Sequence, residues 1–127
     1  MSSAVREFVP LKIAVLTVSD TRGFVEDSSG QLLVDGLQAA GHVLADRALV
    51  RDDIYQIRAV VSQWIADAGV QVVLVTGGTG FTTRDSTPEA ILPLLDKEVH
   101  GFGELFRQLS YEEIGTSTMQ SRALAGL

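Results

Sequence analysis

The chain has 127 residues and a formal net charge of −6, from ten Lys and Arg against sixteen Asp and Glu. Its composition, 46% hydrophobic and 20% charged, is that of an ordinary globular domain and excludes disordered and fibrous architectures. The acidic charge argues against nucleic acid or an anionic membrane as the main partner, and the absence of Cys excludes disulfides, thiolate catalysis and Cys-ligated metals. Because neither a targeting signal nor an apolar run of membrane-spanning length is visible, we expect a cytoplasmic single-domain protein.

Three apolar segments in the first part of the chain predict strands. Leu11–Val18 is almost continuously apolar and rich in β-branched residues, as is typical of a strand buried on both faces of a parallel sheet. Val43–Val50 predicts a second strand, and Val70–Thr76 predicts another buried one.

Two segments with helical periodicity alternate with these strands. Ser28 and Ser29 are candidate N-caps of the first helix, and either Asp52 or Asp53 caps the second. The predicted face and stop residues are Leu33, Leu37, Ala40 and Gly41 in the first helix, and Ile54, Ile57, Val61, Ile65, Ala68 and Gly69 in the second. Trp64 follows the apolar face of the second helix and is expected in the core or at an interface. The alternation predicts an α/β fold with right-handed crossovers and helices covering the sheet.

The second half of the chain gives weaker patterns. Pro88 to about Leu95 and Phe102–Leu109 are predicted to be helical, and Met119–Ala125 is predicted to begin a further helix. No final strand is evident from the pattern. We expect His42 and His100 to be structural, because neither has a metal-ligand partner at a useful spacing.

Polar segments follow each of the three predicted strands. They are residues 19–30, residues 51–53 and residues 76–88. Because the carboxyl ends of parallel strands lie at one edge of a sheet, all three segments are expected to open on the same side. The sequence therefore predicts a ligand site at that edge.

The third of these segments contains a glycine-rich loop. Gly77, Gly78 and Gly80, with Thr79 between them, leave the backbone N–H groups accessible to an anion. Each charge-assisted hydrogen bond would contribute about 1.5–3 kcal/mol, so two or three would hold a phosphate. The alternative is a turn that only reverses the chain. The P-loop motif is excluded because no Lys follows the glycines. The dinucleotide-binding fingerprint is excluded because it would follow the first strand, whereas this loop follows the third.

Two carboxylates, Asp52 and Asp85, lie in these segments. If they approach to about 5 Å, their repulsion is roughly 3 kcal/mol at an effective dielectric of about 20. Mg²⁺ would remove this repulsion, since it accepts carboxylate, phosphate and water oxygens. The alternative is that Asp52 caps the second helix while Asp85 pairs with Arg84 or caps the turn before Pro88.

The motifs LTVSDTRG, VTGGTGFTTRDSTPEA, GFGELFR and EEIGTSTMQSRALAG resemble the MoaB/Mog family, which includes gephyrin and the plant molybdopterin-adenylating domains. The resemblance runs from about Lys12 to the last residue. It implies a three-layer α/β/α fold with a mainly parallel sheet, assembled as a homo-oligomer that is a trimer or, in some members, a hexamer. Active members adenylylate molybdopterin with ATP and Mg²⁺, and they release pyrophosphate.

The resemblance also implies roles for individual residues. Asp52 and Asp85 match the family's two essential carboxylates, which serve catalysis and hold Mg²⁺. The segments after the first and third strands match its substrate-binding elements. The implied substrate-binding residues are Ser19, Asp20, Asp27, Ser28, Gly30, Thr76, Gly77, Gly78, Thr79 and Gly80.

Three features bear on how far the family's activity extends to this chain. Arg51 stands where a Pro is common, whereas both aspartates are kept. Family members continue into a strand, a proline-glycine-serine loop and a closing helix, so residues 1–127 are expected to form a single domain that lacks these elements. The alternative to an adenylyltransferase is a catalytically inactive oligomer that binds molybdopterin or a nucleotide. A third hypothesis is a flavodoxin-like domain that binds FMN.

Overall fold

The strands and helices alternate as the sequence predicts. The computed structural model describes residues 7–20, 27–77, 86–105, 108 and 124–127. Its strands are Lys12–Val18 (β1), Val43–Val50 (β2) and Val72–Thr76 (β3). Its helices are Ser28–Ala39 (α1), Ile54–Ala66 (α2) and Thr87–Ile91 (α3), with a 3-10 turn at Leu92–Leu94. Within these ranges the strands form one sheet in the order β2-β1-β3, and both pairings are parallel.

The central strand β1 separates two apolar cores. Successive side chains of a strand point to opposite faces, so its run of buried residues supplies both sides of the sheet. One core joins β1 to α2 and α3 through Ala14, Leu16, Val18, Ile57, Val61, Trp64 and Ala90. The other joins β1 to α1 through Ile13, Val15, Val34 and Leu37. The three-layer α/β/α architecture is therefore confirmed. β3 is only partly buried, unlike the fully buried strand that was predicted.

The helix caps differ in part from the prediction. Asp27, and neither Ser28 nor Ser29, is the N-cap of α1, because its carboxylate accepts the Gly30 N–H at 2.9 Å. α1 ends as predicted before Gly41, whose φ of +89° is a left-handed conformation that favours glycine.

The buried faces of the two long helices also differ from the prediction at their ends. In α1, Ala40 is exposed and Val34 is buried instead. In α2, the predicted face residue Ile65 is 58% exposed. Trp64 is 4% exposed and lies in the core, as expected, and it donates from Nε1 to Asp46 Oδ2 at 3.0 Å. α2 ends at Ala66, so the predicted face residue Ala68 lies beyond it. None of the described helices is long and apolar enough to cross a lipid bilayer.

The C-terminal part of the chain departs most from the prediction. α3 and the 3-10 turn account for the helix predicted from Pro88, and residues 100–105 and 108 are helical, in agreement with the described part of Phe102–Leu109. Most of the helix predicted over Met119–Ala125 lies outside the described residues, and its last two residues, Leu124 and Ala125, are not helical. Ala125 accepts the Val99 N–H at 2.7 Å, and Gly126 forms an antiparallel bridge with Glu98.

Helices α1 and α3 pack on opposite faces of the sheet and follow neighbouring strands that end at the same edge, which we call the carboxyl edge. The chain leaves β1 toward α1 on one face of the sheet and leaves β3 toward α3 on the other. In open α/β sheets, ligands bind at the carboxyl ends of two neighbouring strands whose following helices lie on opposite faces of the sheet. The ends of β1 and β3 meet this description.

Candidate functional site

Hydrogen bonds join the segments that follow β1, β2 and β3 at the carboxyl edge. The Asp52 N–H donates to Asp20 Oδ1 at 3.1 Å. Asp52 Oδ1 accepts the Ser86 N–H at 2.8 Å. Asp20 directly follows the β1 region, Asp52 follows β2, and Ser86 ends the segment that leads from β3 to α3. The three segments therefore meet at one edge, as expected from the sequence.

The two adjacent carboxylates Asp52 and Asp53 have different partners. Asp53 Oδ1 accepts the N–H groups of Tyr55 and Gln56 at 2.9 and 3.0 Å, so Asp53 is the N-cap of α2. Asp52 is half-buried and reaches the segment before α3 instead. The structure thus resolves the choice that the sequence left open: Asp53 caps the helix, and Asp52 lies at the carboxyl edge.

The glycine-rich segment is held at both of its described ends. Gly77 has a φ of +96°, and a Cβ there would run into the Val18 carbonyl oxygen, so no larger residue fits between β1 and β3. At the other end, the Thr87 hydroxyl donates to the Gly77 carbonyl oxygen at 2.8 Å. This bond closes the segment into a loop whose ends lie together. Thr76, the last residue of β3, leads into it.

The remaining residues of this loop were predicted to hold phosphate and metal. Gly78, Thr79, Gly80 and Asp85 lie outside the described residues. Their roles stay predictions. Asp85 is adjacent in sequence to Ser86, whose N–H bonds to Asp52.

Helix α3 is anchored to α2 through Arg58. The Arg58 guanidinium donates from Nε to the Ala90 carbonyl at 3.0 Å and from Nη2 to the Glu89 carbonyl at 2.9 Å. These carbonyls lie toward the C-terminal end of α3, where backbone acceptors lack helical partners. The helix that begins just after Ser86 is therefore fixed at both ends relative to α2.

Asp27 lies in a buried polar cluster between β1 and α1. Its carboxylate accepts the Thr17 hydroxyl at 2.7 Å, the Gly30 N–H at 2.9 Å and Arg47 Nη2 at 3.2 Å, and its side chain is 0% exposed. Burial acts to raise the pKa of Asp27, but the Gly30 N–H, the Thr17 hydroxyl and the Arg47 guanidinium outweigh it and lower the pKa. The carboxylate is therefore ionised at neutral pH and fixes the start of α1.

The other predicted residues near β1 have distinct environments. A Cβ at Gly30 would meet the carboxylate of Asp27 and the hydroxyl of Thr17, so this glycine permits the close approach of α1 to β1. Ser28 is exposed on the first turn of α1. Ser19 donates its N–H to the Val50 carbonyl at 2.9 Å and extends the β1–β2 pairing to the carboxyl edge. Ser19 and Asp20 thus lie near Asp52 at the carboxyl edge, whereas Asp27 and Gly30 belong to the buried polar cluster between β1 and α1.

The oxygen atoms at the carboxyl edge suit Mg²⁺. Among the described residues, Asp52 Oδ1 accepts one N–H and no group donates to Oδ2. No cluster of three metal-ligating side chains occurs within the described ranges. Mg²⁺ does not need one, because it is commonly held by one or two carboxylates together with phosphate oxygens and water. Asp52 therefore fits the predicted ion.

Comparison with known proteins identifies the family. The sequence profile of the family described as "Probable molybdopterin binding domain" matches residues 14–127. The chain belongs to this family. It is 60% identical over 127 residues to molybdenum cofactor biosynthesis protein B of Escherichia coli K12, a match that covers 100% of this chain and 75% of that protein. The MoaB/Mog resemblance predicted from the motifs is confirmed.

Crystal structures of family members have the same fold. The crystal structure of a molybdenum cofactor biosynthesis protein B superposes with a TM-score of 0.91 at 46% identity, covering 96% of this chain and 76% of that one. The tungsten cofactor synthesizing protein MoaB from Pyrococcus furiosus gives a TM-score of 0.83 at 43% identity, covering 92% and 72%.

Three residues that organise the site were not identified from the sequence. Arg47 supplies the charge that pairs with Asp27, Thr87 closes the glycine-rich loop, and Arg58 anchors α3. Arg47 could have been identified from the sequence, because a charged residue within the mainly apolar strand β2 needs a partner of opposite charge. Thr87 and Arg58 had none, since their partners are backbone carbonyls that a sequence does not distinguish.

Proposed function

We propose that this protein is a cytoplasmic enzyme of molybdenum cofactor biosynthesis that adenylylates molybdopterin with ATP in a Mg²⁺-dependent reaction. The terminal phosphate of the pterin would attack the α-phosphate of ATP. The new P–O bond forms as the bond to the β-phosphate breaks, and the products are adenylyl-molybdopterin and pyrophosphate. Family membership and the arrangement of the carboxyl edge support this proposal.

The observation on which the proposal depends is the position of Asp52. Its neighbour Asp53 satisfies the N-terminus of α2, so Asp52 is not needed as a cap. Asp52 instead faces the segment that contains Asp85, with Oδ2 open among the described residues. A carboxylate at this edge would attract a cation and repel a polyphosphate, so Asp52 would meet the polyphosphate through a bound cation.

The residue types at this edge suit the proposed chemistry. Transfer of a nucleotidyl group requires alignment and charge neutralisation more than a covalent nucleophile, and here the attacking group belongs to the substrate. Asp52 and Asp85 would hold Mg²⁺, which when bound supplies charge neutralisation for the polyphosphate. The N–H groups of the glycine-rich loop would orient a phosphate, and Gly77 and Thr87 keep the ends of that loop together.

A matched pair of substitutions tests this assignment. Asp52→Asn keeps an oxygen to accept the Ser86 N–H but removes the charge, so we expect Mg²⁺-dependent pyrophosphate release to fall at least about 100-fold. Asp53→Asn makes the same change in net charge at the adjacent residue and preserves a good N-cap. The rate of pyrophosphate release by this variant should therefore stay within about twofold of that of the unsubstituted protein. The assay measures pyrophosphate released from ATP in the presence of molybdopterin, with and without EDTA.

Two outcomes would contradict the proposal. Equal loss of activity in both variants would mean that general acidity at the edge matters and that Asp52 has no special role. Binding of ATP and molybdopterin without any Mg²⁺-dependent pyrophosphate release would instead establish the alternative, a non-catalytic binding protein.

We also propose a homo-oligomer, either a trimer or a hexamer. Large apolar side chains exposed on the C-terminal half of the described chain supply surface that such an assembly would bury. They are Leu92, Val99, Phe102, Leu105 and Leu127.

A further inference from the structure

We propose that Asp20 is a positioning residue whose carboxylate fixes the backbone of Asp52, so that Asp52 in turn fixes the end of the glycine-rich loop. The bonds run from Asp20 Oδ1 to the Asp52 N–H at 3.1 Å and from Asp52 Oδ1 to the Ser86 N–H at 2.8 Å. The inference rests on the proposed function only in treating Asp52 as a residue of the active site.

The position of Asp20 explains why a side chain is needed there. The β1–β2 pairing ends at Val18 and Val50, and the Ser19 N–H adds one more bond to the Val50 carbonyl at 2.9 Å. Beyond this point the two chains diverge toward α1 and α2. The Asp52 N–H finds its acceptor in the Asp20 carboxylate, which therefore replaces a main-chain carbonyl where the sheet ends.

The backbone of Asp52 is consequently held on both sides. On the C-terminal side, Asp53 donates its N–H to the Arg51 carbonyl at 2.8 Å and caps α2 with its side chain. On the N-terminal side, the bond to Asp20 is the described contact of the Asp52 N–H. Loss of the Asp20 acceptor would free this turn and allow the Asp52 carboxylate to move away from Ser86.

This role needs an acceptor oxygen and does not need a charge. Asn at position 20 retains an oxygen that can accept the Asp52 N–H, whereas Ala removes it. If Asp20 were instead a direct metal ligand, its negative charge would be required, because the charge would contribute to cation binding. Asp20→Asn and Asp20→Ala therefore separate the two roles.

The experiment combines amide hydrogen exchange of the full chain with Mn²⁺ binding followed by electron paramagnetic resonance. In Asp20→Ala we expect exchange of the Asp52 amide to accelerate about tenfold or more, since a hydrogen bond to a charged group is lost. Mn²⁺ affinity should fall roughly tenfold, as it does when residues that orient a metal ligand are removed. In Asp20→Asn both quantities should stay close to those of the unsubstituted protein.

Asp67→Ala is the matched control. Asp67, like Asp20, is an exposed residue whose carboxylate accepts a backbone N–H, here that of Gly69 at 2.7 Å, but it lies in the turn after α2. Its removal should leave exchange at Asp52 and the affinity for Mn²⁺ unchanged.

Two results would overturn the positioning role. One is unchanged exchange at Asp52 in Asp20→Ala. The other is a loss of Mn²⁺ affinity in Asp20→Asn as large as in Asp20→Ala while the Asp52 amide stays protected, which would make Asp20 a metal ligand. Absence of Mn²⁺ binding by the unsubstituted protein would contradict the proposed metal site instead, and exchange at Asp52 would still decide the role of Asp20.

Discussion

At the scale of single residues, the role of each aspartate follows from the N–H groups and cations within its reach. Asp27 is surrounded by Thr17, Gly30 and Arg47, and is buried as an ion. Asp53 meets the first free N–H groups of α2, and Asp52 meets a distant segment. Sequence patterns place an acidic residue at each of these positions but do not show which donors surround it, which is why Asp52 and Asp53 could not be told apart beforehand.

The environment of Asp27 predicts both a loss of stability and a change in its pH dependence. Asp27→Asn should lower the free energy of unfolding at pH 7 by about 1.5–3 kcal/mol, because the charged partner of Arg47 is lost. Since the pKa of Asp27 is lowered in the folded state, the unfolded chain binds this proton first as the pH falls. The stabilisation is complete above the unfolded pKa of about 3.9 and is lost as the pH drops through the lower folded pKa.

Urea unfolding at a series of pH values between neutrality and acid measures this effect. The substituted protein should lose the part of the acid dependence that Asp27 contributes. Asp35→Asn, on the exposed side of the same helix, should change stability at pH 7 by no more than about 0.5 kcal/mol. A parallel acid profile for Asp27→Asn and the unsubstituted protein would show that Asp27 is not the titrating group.

At the scale of elements, local periodicity identified the type and order of each strand and helix that the structure describes in residues 7–20 and 27–76. Its error in α2 is Ile65, which was predicted on the buried face together with Trp64 and is exposed. Trp64 and Ile65 are three and four residues after Val61, and both spacings fall on one face of a helix. The structure buries Trp64, whose Nε1 reaches Asp46 on β2, a partner that a helical pattern does not reveal. At the C-terminus, the last predicted helical residue, Ala125, instead accepts the Val99 N–H, a contact between distant segments that local periodicity does not reveal.

Two glycines of α1 give opposite predictions for the same substitution. Gly30 faces β1, and a Cβ there would meet Asp27 and Thr17, so Gly30→Ala should destabilise the fold by about 1–3 kcal/mol through overpacking. Gly36 has open space around it, so Gly36→Ala should stabilise by about 0.5–1 kcal/mol, because alanine has the higher helix propensity. Urea unfolding followed by circular dichroism measures both. Equal effects at the two positions would contradict the close packing of α1 on β1.

At the scale of the whole molecule, the candidate site and the core depend on the same strand. β1 supplies alternate side chains to both apolar cores, and its carboxyl end is the point from which Asp20 reaches Asp52. The general rule for open α/β sheets predicted, from the order of elements alone, that the segments after β1, β2 and β3 would meet at one edge, and the hydrogen bonds of Asp52 confirm that they do. It did not give the bonds that join residues 20, 52 and 86, because these residues are far apart in the chain and their contacts arise only when the sheet is assembled.

Because β1 is shared, the two faces of the sheet should unfold together. Val15 is fully buried against α1, whereas Trp64, the one tryptophan of the chain, lies in the core on the opposite face. Val15→Ala should lower the free energy of unfolding by about 2 kcal/mol. Trp64 fluorescence should report the same lowered urea midpoint as far-UV circular dichroism, although the substitution does not touch the core around Trp64. Val43→Ala, at a 53% exposed position of β2, should cost less than about 1 kcal/mol. A fluorescence midpoint that stays at the unsubstituted value while the dichroism midpoint falls would mean that the two cores unfold independently, and that β1 does not couple them.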